Sequence, residues 1–111
     1  MRKGYKAEYS TKNELVKEYG KQNVVKIAIG QFGADFLVFK SGTLLKIVEV
    51  KETKKKKYYP SQREKEQLRR ILEFADEQGC DVELWIYKHS GKGKKREKVV
   101  LKYGGVWRLI R

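Results

Sequence analysis

Residues 44–51 have the apolar pattern of a β-strand, but two charged residues, Glu49 and Lys51, continue one of its apolar faces. Because side chains alternate between the two faces of a strand, one face holds Leu45, Ile47, Glu49 and Lys51. The two aliphatic residues bury that face, and a carboxylate and an ammonium group then continue it. Asp35 opens the preceding predicted strand. A hairpin between the two strands would bring its carboxylate close to Glu49.

Asp35, Glu49 and Lys51 have the chemistry that hydrolysis of a phosphodiester needs. A hard divalent cation neutralises the charge that develops on the phosphate and lowers the pKa of the attacking water. The two carboxylates would bind this cation, with the backbone carbonyl of Val50 as a third ligand. Lys51 would orient or deprotonate the water, or stabilise the transition state. The alternative interpretation is an ordinary ion pair at an exposed strand end.

The overall charge favours a polyanionic partner. The chain of 111 residues has 27 Lys and Arg against 14 Asp and Glu, a formal net charge of +13 at pH 7. Basic residues concentrate in residues 51–57 and 88–98, and such a surplus attracts nucleic acid. No predicted helix combines a basic face with a strong apolar face, so we do not expect a membrane partner.

Length and hydropathy indicate one domain over residues 1–111. The longest apolar runs have four residues, which is too short for a segment that spans a bilayer. Cys80 is the only cysteine, which excludes an internal disulfide. We therefore expect an intracellular, cytoplasmic protein.

Hydrophobic periodicity predicts an α/β (mixed α+β) fold, with a central mixed β-sheet of about five strands flanked by helices. Residues 4–19 have helical spacing, although the Ser10–Thr11 pair leaves a start at Thr11 open. A capping box of Ser61 and Glu64 predicts a second helix, which ends at Gly79. Hairpin turns are predicted at residues 40–43 and 104–105. The strands are predicted over residues 24–29, 35–40, 44–51, 82–87, 99–103 and 106–110.

The residues around the charged groups resemble a known nuclease family. Gly33-Ala34-Asp35, followed after thirteen intervening residues by Glu49-Val50-Lys51, resembles the Asp…Glu-x-Lys core of the PD-(D/E)xK nucleases. Within that superfamily, Lys3-Gly4-Tyr5-Lys6-Ala7-Glu8 is similar to the opening Lys-Gly-x-x-Ala-Glu of the archaeal Holliday junction resolvases. Residues 49–55, 72–75 and 106–108 are similar to later segments of the same family.

This resemblance implies a restriction-endonuclease-like fold and a Mg²⁺-dependent endonuclease, with Mn²⁺ as the alternative cation. The implied substrate is a four-way DNA junction, cut by a homodimer during DNA recombination and repair in an archaeal cell or an archaeal mobile element. Carried over by position, Asp35 and Glu49 are metal ligands and Lys51 is the catalytic lysine. Glu8 is the helix carboxylate that completes the catalytic and metal site, with Glu14 as its rival.

The sequence also departs from the family pattern. Ala34 stands where the name of the superfamily has proline, and residues 30–33 lack the serine that the resolvases tend to carry before the aspartate. This second departure leaves the preference for junctions open.

Basic and aromatic residues around this site are predicted to contact nucleic acid: Arg2, Lys3, Lys6, Lys54, Lys55, Lys56, Lys57, Tyr59 and Gln62. Tyr58 and Tyr59 would stack on exposed bases, or else pack where the loop joins the helix. The sequence thus leaves three functions to compare. They are a structure-selective endonuclease that resolves four-way junctions, a nuclease of this fold that acts on other DNA, and a basic module that binds nucleic acid without chemistry.

Overall fold

The computed structural model describes residues 5–27, 35–55, 57–89 and 97–110. The chain begins with α1 (Tyr5–Tyr19) and a single 3₁₀ turn. It continues through β1 (Val24–Lys26), β2 (Phe36–Lys40), β3 (Thr43–Thr53), α2 (Gln62–Gln78), β4 (Asp81–Lys88), β5 (Glu97–Tyr103) and β6 (Trp107–Leu109). The predicted loop of residues 30–33, most of the basic loop before β5, and Arg2, Lys3 and Lys56 lie outside the described residues.

The strands of the described ranges form one sheet in the order β1-β2-β3-β4-β5-β6. Neighbours are antiparallel except for β3 and β4, which run parallel and are joined by α2. The predicted mixed α+β class is therefore confirmed, with six strands in place of about five. Each of the six predicted strand ranges matches a strand of the structure, and the outer strands β1 and β6 have three residues each within the described ranges.

The two helices cover opposite faces of the sheet. Val48 and Val50 of β3 pack in one cluster with Ala7 and Leu15 of α1. Ile47, which precedes Val48 and faces the other side of the sheet, packs instead in a cluster that contains Ile71 and Ala75 of α2. Because β3 and β4 lie between the two layers, they are buried on both faces. No helix within the described ranges is both long and apolar enough to cross a membrane.

Helix α1 begins before the Ser10–Thr11 pair, so a start at Thr11 is wrong. Thr11 is fully buried, and its Oγ1 donates to the carbonyl of Ala7 one turn earlier at 2.8 Å. The same hydroxyl lies 2.8 Å from the hydroxyl of Tyr87 on β4. Tertiary packing therefore satisfies a residue whose side chain weakens helices in isolation.

The predicted turn and cap signals are confirmed. Ser41 and Gly42 both have positive φ, at 52° and 78°, as a two-residue hairpin turn between β2 and β3 requires. Both hydrogen bonds of the capping box join Ser61 and Glu64 at the start of α2. Gly79 ends that helix in the left-handed conformation.

A buried ion pair lies under α1, on the face opposite α2. The Nζ of Lys46 is 3.0 Å from Oε2 of Glu83, and Oε1 of Glu83 accepts from the indole N–H of Trp85 at 3.0 Å. The lysine ammonium also sits 4.8 Å from the centre of the Tyr19 ring. Every charged atom of this pair thus has a partner, which limits the cost of burial.

We expect Glu83→Leu to lower the free energy of unfolding by about 3–5 kcal/mol, because it leaves the Lys46 ammonium buried and unpaired. Adding Lys46→Met should recover most of that loss. Urea denaturation measures both effects. The control is Asp81→Ala, which removes an exposed pair with Lys102 and should cost less than about 1 kcal/mol. Equal stability of the single and double variants would contradict this account.

Candidate active site

The candidate site lies where the carboxyl end of β3 extends beyond β2. Asp35 directly precedes β2, and its backbone N–H donates to the carbonyl of Val48 at 3.2 Å. Its carboxylate Oδ2 accepts from the backbone N–H of Val50 at 2.7 Å. Backbone hydrogen bonds therefore hold Asp35 beside β3, as the hairpin argument predicts.

Glu49 is buried next to Asp35 and is incompletely satisfied. Its carboxyl group interacts with that of Asp35, and the residue is only 3% exposed. Its Oε2 has no hydrogen-bond partner among the described residues. Burial, and secondly the charge of Asp35, raise the pKa of Glu49 to about 9. Burial also raises the pKa of Asp35. A proton is therefore retained at this pair near neutral pH unless another cation replaces it.

Lys51 is positioned between two carboxylates. Its Nζ lies 3.5 Å from Oε1 of Glu49 and 3.4 Å from Oε2 of Glu64, and its side chain is 15% exposed. The alternation of β3 places Lys51 on the same face as Glu49, toward α2. The structure thus brings Asp35, Glu49 and Lys51 together, as the sequence predicts.

Glu64 belongs to the site but was predicted only as a helix cap. The hydroxyl of Tyr58 donates to its Oε2 at 2.5 Å, and the N–H of Ser61 donates to its Oε1 at 3.0 Å. Burial alone would raise the pKa of Glu64, but these hydrogen bonds and the charge of Lys51 lower it to about 2. Burial and the neighbouring Glu64 raise the pKa of Tyr58 well above its ordinary value.

The sequence holds no signal for this contact. The spacing of Ser61 and Glu64 is explained fully by a capping box, and such boxes occur on helices of every function. That the first turn of α2 meets the end of β3 depends on the crossover, which only the fold reveals.

Glu8 lies at the edge of the site. It lines an open cavity of about 400 Å³, together with Val50, Lys51, Lys55, Tyr59 and other residues of β3 and the following segment. Its Oε2 pairs with Nζ of Lys26 at 3.1 Å. Its charge contributes to the raised pKa of Asp35, behind burial. Glu14, the rival, pairs with Lys98 at 2.6 Å and is not part of the cavity wall.

The donor set fits a hard divalent cation. Asp35 and Glu49 offer carboxylate oxygens. The Oε2 of Glu49, which has no hydrogen-bond partner among the described residues, could coordinate a cation directly. The N–H and C=O of one strand residue point to the same side, so the carbonyl of Val50 is directed toward Asp35. No larger group of His, Cys, Asp or Glu side chains suited to a metal occurs in the part of the chain that the structure describes. Mg²⁺ needs only one or two carboxylates, because water and phosphate oxygens complete its shell.

The predicted nucleic-acid contacts are placed unevenly around the cavity. Lys55 and Tyr59 line it, and Tyr59 is 67% exposed. Tyr58 also lines the cavity but is half-buried, because its ring packs near Leu68 of α2. Four further residues are exposed but do not line the cavity, namely Lys6, Lys54, Lys57 and Gln62.

Comparison with known proteins yields a weak structural likeness. No protein-family model matches the sequence, and no curated protein matches it significantly. Among the solved structures that match is Hjc, a Holliday junction resolvase from the archaeal hyperthermophile Archaeoglobus fulgidus. The two chains are 24% identical, with a TM-score of 0.47, over 78% of this chain and 72% of that one. A likeness at this level carries no argument about activity, so the function is inferred from the site.

We expect Glu49→Gln to stabilise the metal-free protein at pH 8 by about 1 kcal/mol or more. The folded wild type retains a proton on Glu49 up to a pKa of about 9, whereas an unshifted glutamate releases it near 4.5. The wild type therefore loses stability as pH rises through this window, and the variant does not. Thermal unfolding in chelator between pH 4 and 9 measures the difference, which should vanish at the acid end.

The matched control is Glu73→Gln, which changes an exposed glutamate of α2. It should give no such pH-dependent gain. Adding Mg²⁺ should stabilise the wild type more than Glu49→Gln, because the ionised carboxylate binds the cation. If the wild type and Glu49→Gln unfold alike across the whole pH range, the acidic pair is not strained.

Proposed function

We propose that this protein is a metal-dependent endonuclease of the PD-(D/E)xK type that acts on DNA. One observation carries the proposal: a buried pair of carboxylates lies directly beside a lysine, and one carboxylate oxygen has no hydrogen-bond partner among the described residues. A protein that only binds nucleic acid gains nothing from carboxylates placed where phosphates would approach. For hydrolysis, the same arrangement supplies the metal ligands and the cationic group that the reaction needs.

Each side chain has a distinct role in this proposal. Asp35, Glu49 and the carbonyl of Val50 hold Mg²⁺, or Mn²⁺ in its place. When bound, the cation neutralises charge on the scissile phosphate and makes its bound water more acidic. Lys51 directs its ammonium group toward the attacking water or the charged transition state.

Glu8 supplies a further carboxylate at the cavity wall and would hold a bridging water or a second cation. Its pairing with Lys26 is exposed, so it costs little to break when a ligand enters. This separates it from the buried pair, which backbone and side-chain hydrogen bonds hold in place.

The net charge of +13 supports DNA as the polyanionic partner. Lys55 and Tyr59 beside the cavity support a substrate with exposed bases as well as phosphates. We propose four-way junctions, because a branch point offers unstacked bases at its centre. A homodimer would make the two matched cuts that a two-fold junction requires. Such a protein would act in DNA recombination and repair inside the cell.

The test compares a labelled four-way junction with a linear duplex of the same sequence, in Mg²⁺ and in chelator. We expect paired, metal-dependent cuts in the junction. Asp35→Asn should lower the cleavage rate by at least about 10²-fold, because it removes a charged metal ligand. Cleavage of both substrates would support a nuclease that acts on other DNA. Salt-sensitive binding with no cutting under any metal would leave only a DNA-binding module.

The two helix acids are separated by a matched pair of variants. We expect Glu8→Gln to lower the cleavage rate roughly tenfold, because Glu8 lines the cavity. Glu14→Gln should stay within about twofold of the wild type, because Glu14 pairs with Lys98 away from the cavity. The opposite order would assign the site to Glu14.

Tyr59 is expected to bind DNA through its ring. Tyr59→Ala should weaken junction binding by about 1–3 kcal/mol, the range for stacking on one base. Tyr59→Phe keeps the ring and should bind like the wild type. Fluorescence anisotropy at fixed salt, with Ca²⁺ in place of Mg²⁺, measures the affinities. Equal losses in both variants would indicate that the hydroxyl, not the ring, makes the contact.

A further inference from the structure

Glu64 makes more contacts than a helix cap requires. In a capping box, one carboxylate oxygen accepts from the N–H of the cap residue. Here Oε1 does this, accepting from Ser61 at 3.0 Å. The second oxygen, Oε2, accepts from the Tyr58 hydroxyl and lies 3.4 Å from Nζ of Lys51. The two oxygens of one side chain thus serve a helix and a lysine in the cavity.

We propose that Glu64 is a positioning residue that fixes the ammonium group of Lys51 for the reaction. This inference rests on the proposed function, and it assigns to Glu64 a role that its place in a capping box does not explain. Glu64 itself need not touch DNA or metal, because it acts through the lysine.

The lysine needs such a fixed point. Its side chain is a flexible stem with a compact charge, and it loses much conformational freedom when held in one place. Glu49, its other carboxylate neighbour, is drawn to a cation once one binds. Glu64 is held independently of ligands, by Tyr58 and by the backbone of Ser61. It can therefore keep the ammonium group in place while the charge around Glu49 changes.

The second carboxylate also means that the Lys51 ammonium group does not depend on Glu49 alone. With Glu49 alone, the ammonium group would neutralise a metal ligand and compete with the cation for it. The contact with Glu64 gives the ammonium group a second carboxylate, at a similar distance to that of Glu49. A lysine held between the two carboxylates remains beside the cavity, where the scissile phosphate would enter.

The decisive variant is Glu64→Gln. Glutamine is the other residue that completes a capping box, so its amide oxygen preserves the bond from Ser61. Its amide nitrogen, however, cannot accept from Tyr58 or attract Lys51. We expect the single-turnover cleavage rate to fall by about tenfold or more, since a misplacement of about 1 Å can cost on the order of 10²-fold. The dissociation constant for DNA should stay close to that of the wild type, whereas the Tm should fall because the charged contacts with Tyr58 and Lys51 are lost.

The matched control is Ser61→Ala. It removes the hydroxyl that caps the N–H of Glu64 but keeps the backbone N–H that holds the carboxylate. We expect a Tm lower by about 4 °C and a cleavage rate within about twofold of the wild type. The two variants therefore separate the cap from the lysine contact. Wild-type cleavage by Glu64→Gln, or an equal loss of rate in Ser61→Ala, would overturn the proposal.

A second readout does not depend on cleavage. The methylene next to the Lys51 ammonium group should have an NMR shift distinct from those of the exposed lysines, because two carboxylates surround it. In Glu64→Gln this signal should move toward the exposed-lysine position, and an unmoved signal would refute the positioning role. If the wild type cuts no DNA with any metal, the proposed function fails, and the NMR result still decides the contact.

Discussion

The parallel pairing of β3 with β4 is the constraint on which the rest of the structure depends. Parallel strands cannot be joined by a tight turn, so the chain must cross from the carboxyl end of β3 back to the start of β4. Helix α2 makes this crossover. Its first turn, with Glu64, therefore has to lie near the end of β3, where Lys51 is located. The crossover thus builds one wall of the candidate site.

The same pairing buries β3 on both faces, which gives its charged residues an unusual setting. A carboxylate that is buried loses its hydration, and a second carboxylate beside it adds repulsion. Glu49 experiences both effects. For Asp35 burial dominates, and a hydrogen bond from the Val50 backbone compensates it only in part. The two carboxyl groups of Asp35 and Glu49 therefore favour binding either a proton or a metal cation. This instability in the metal-free state is the physical basis for the proposed metal site.

The described part of the sheet contains two buried glutamates, and they differ in whether both carboxylate oxygens have partners. Glu83, under α1, has a lysine on one oxygen and an indole N–H on the other. Glu49, on the α2 side, has one oxygen without a partner among the residues described. Both glutamates are almost fully buried. The glutamate with both oxygens paired stabilises the packing of the sheet, and the other one offers an atom for a ligand.

Local signals in the sequence determined much of the fold and the centre of the site. The turn at Ser41–Gly42 and the caps of α2 depend on nearest neighbours, so the sequence specified them correctly. The alternation of β3 placed Glu49 and Lys51 on one face, and the hairpin brought Asp35 beside them. The length of the edge strands and the start of α1 were not determined by local signals, because packing decides them.

Only the tertiary structure decided which distant groups join the site. It placed Glu8 at the cavity and Glu14 at Lys98, although both belong to the same helix. It placed the Tyr58 hydroxyl against Glu64 and left Tyr59 exposed, and it brought Glu64 to Lys51. The physical reason is the range of the interactions involved. Periodicity and capping act within a few residues, whereas these contacts depend on how the helices pack on opposite faces of the sheet.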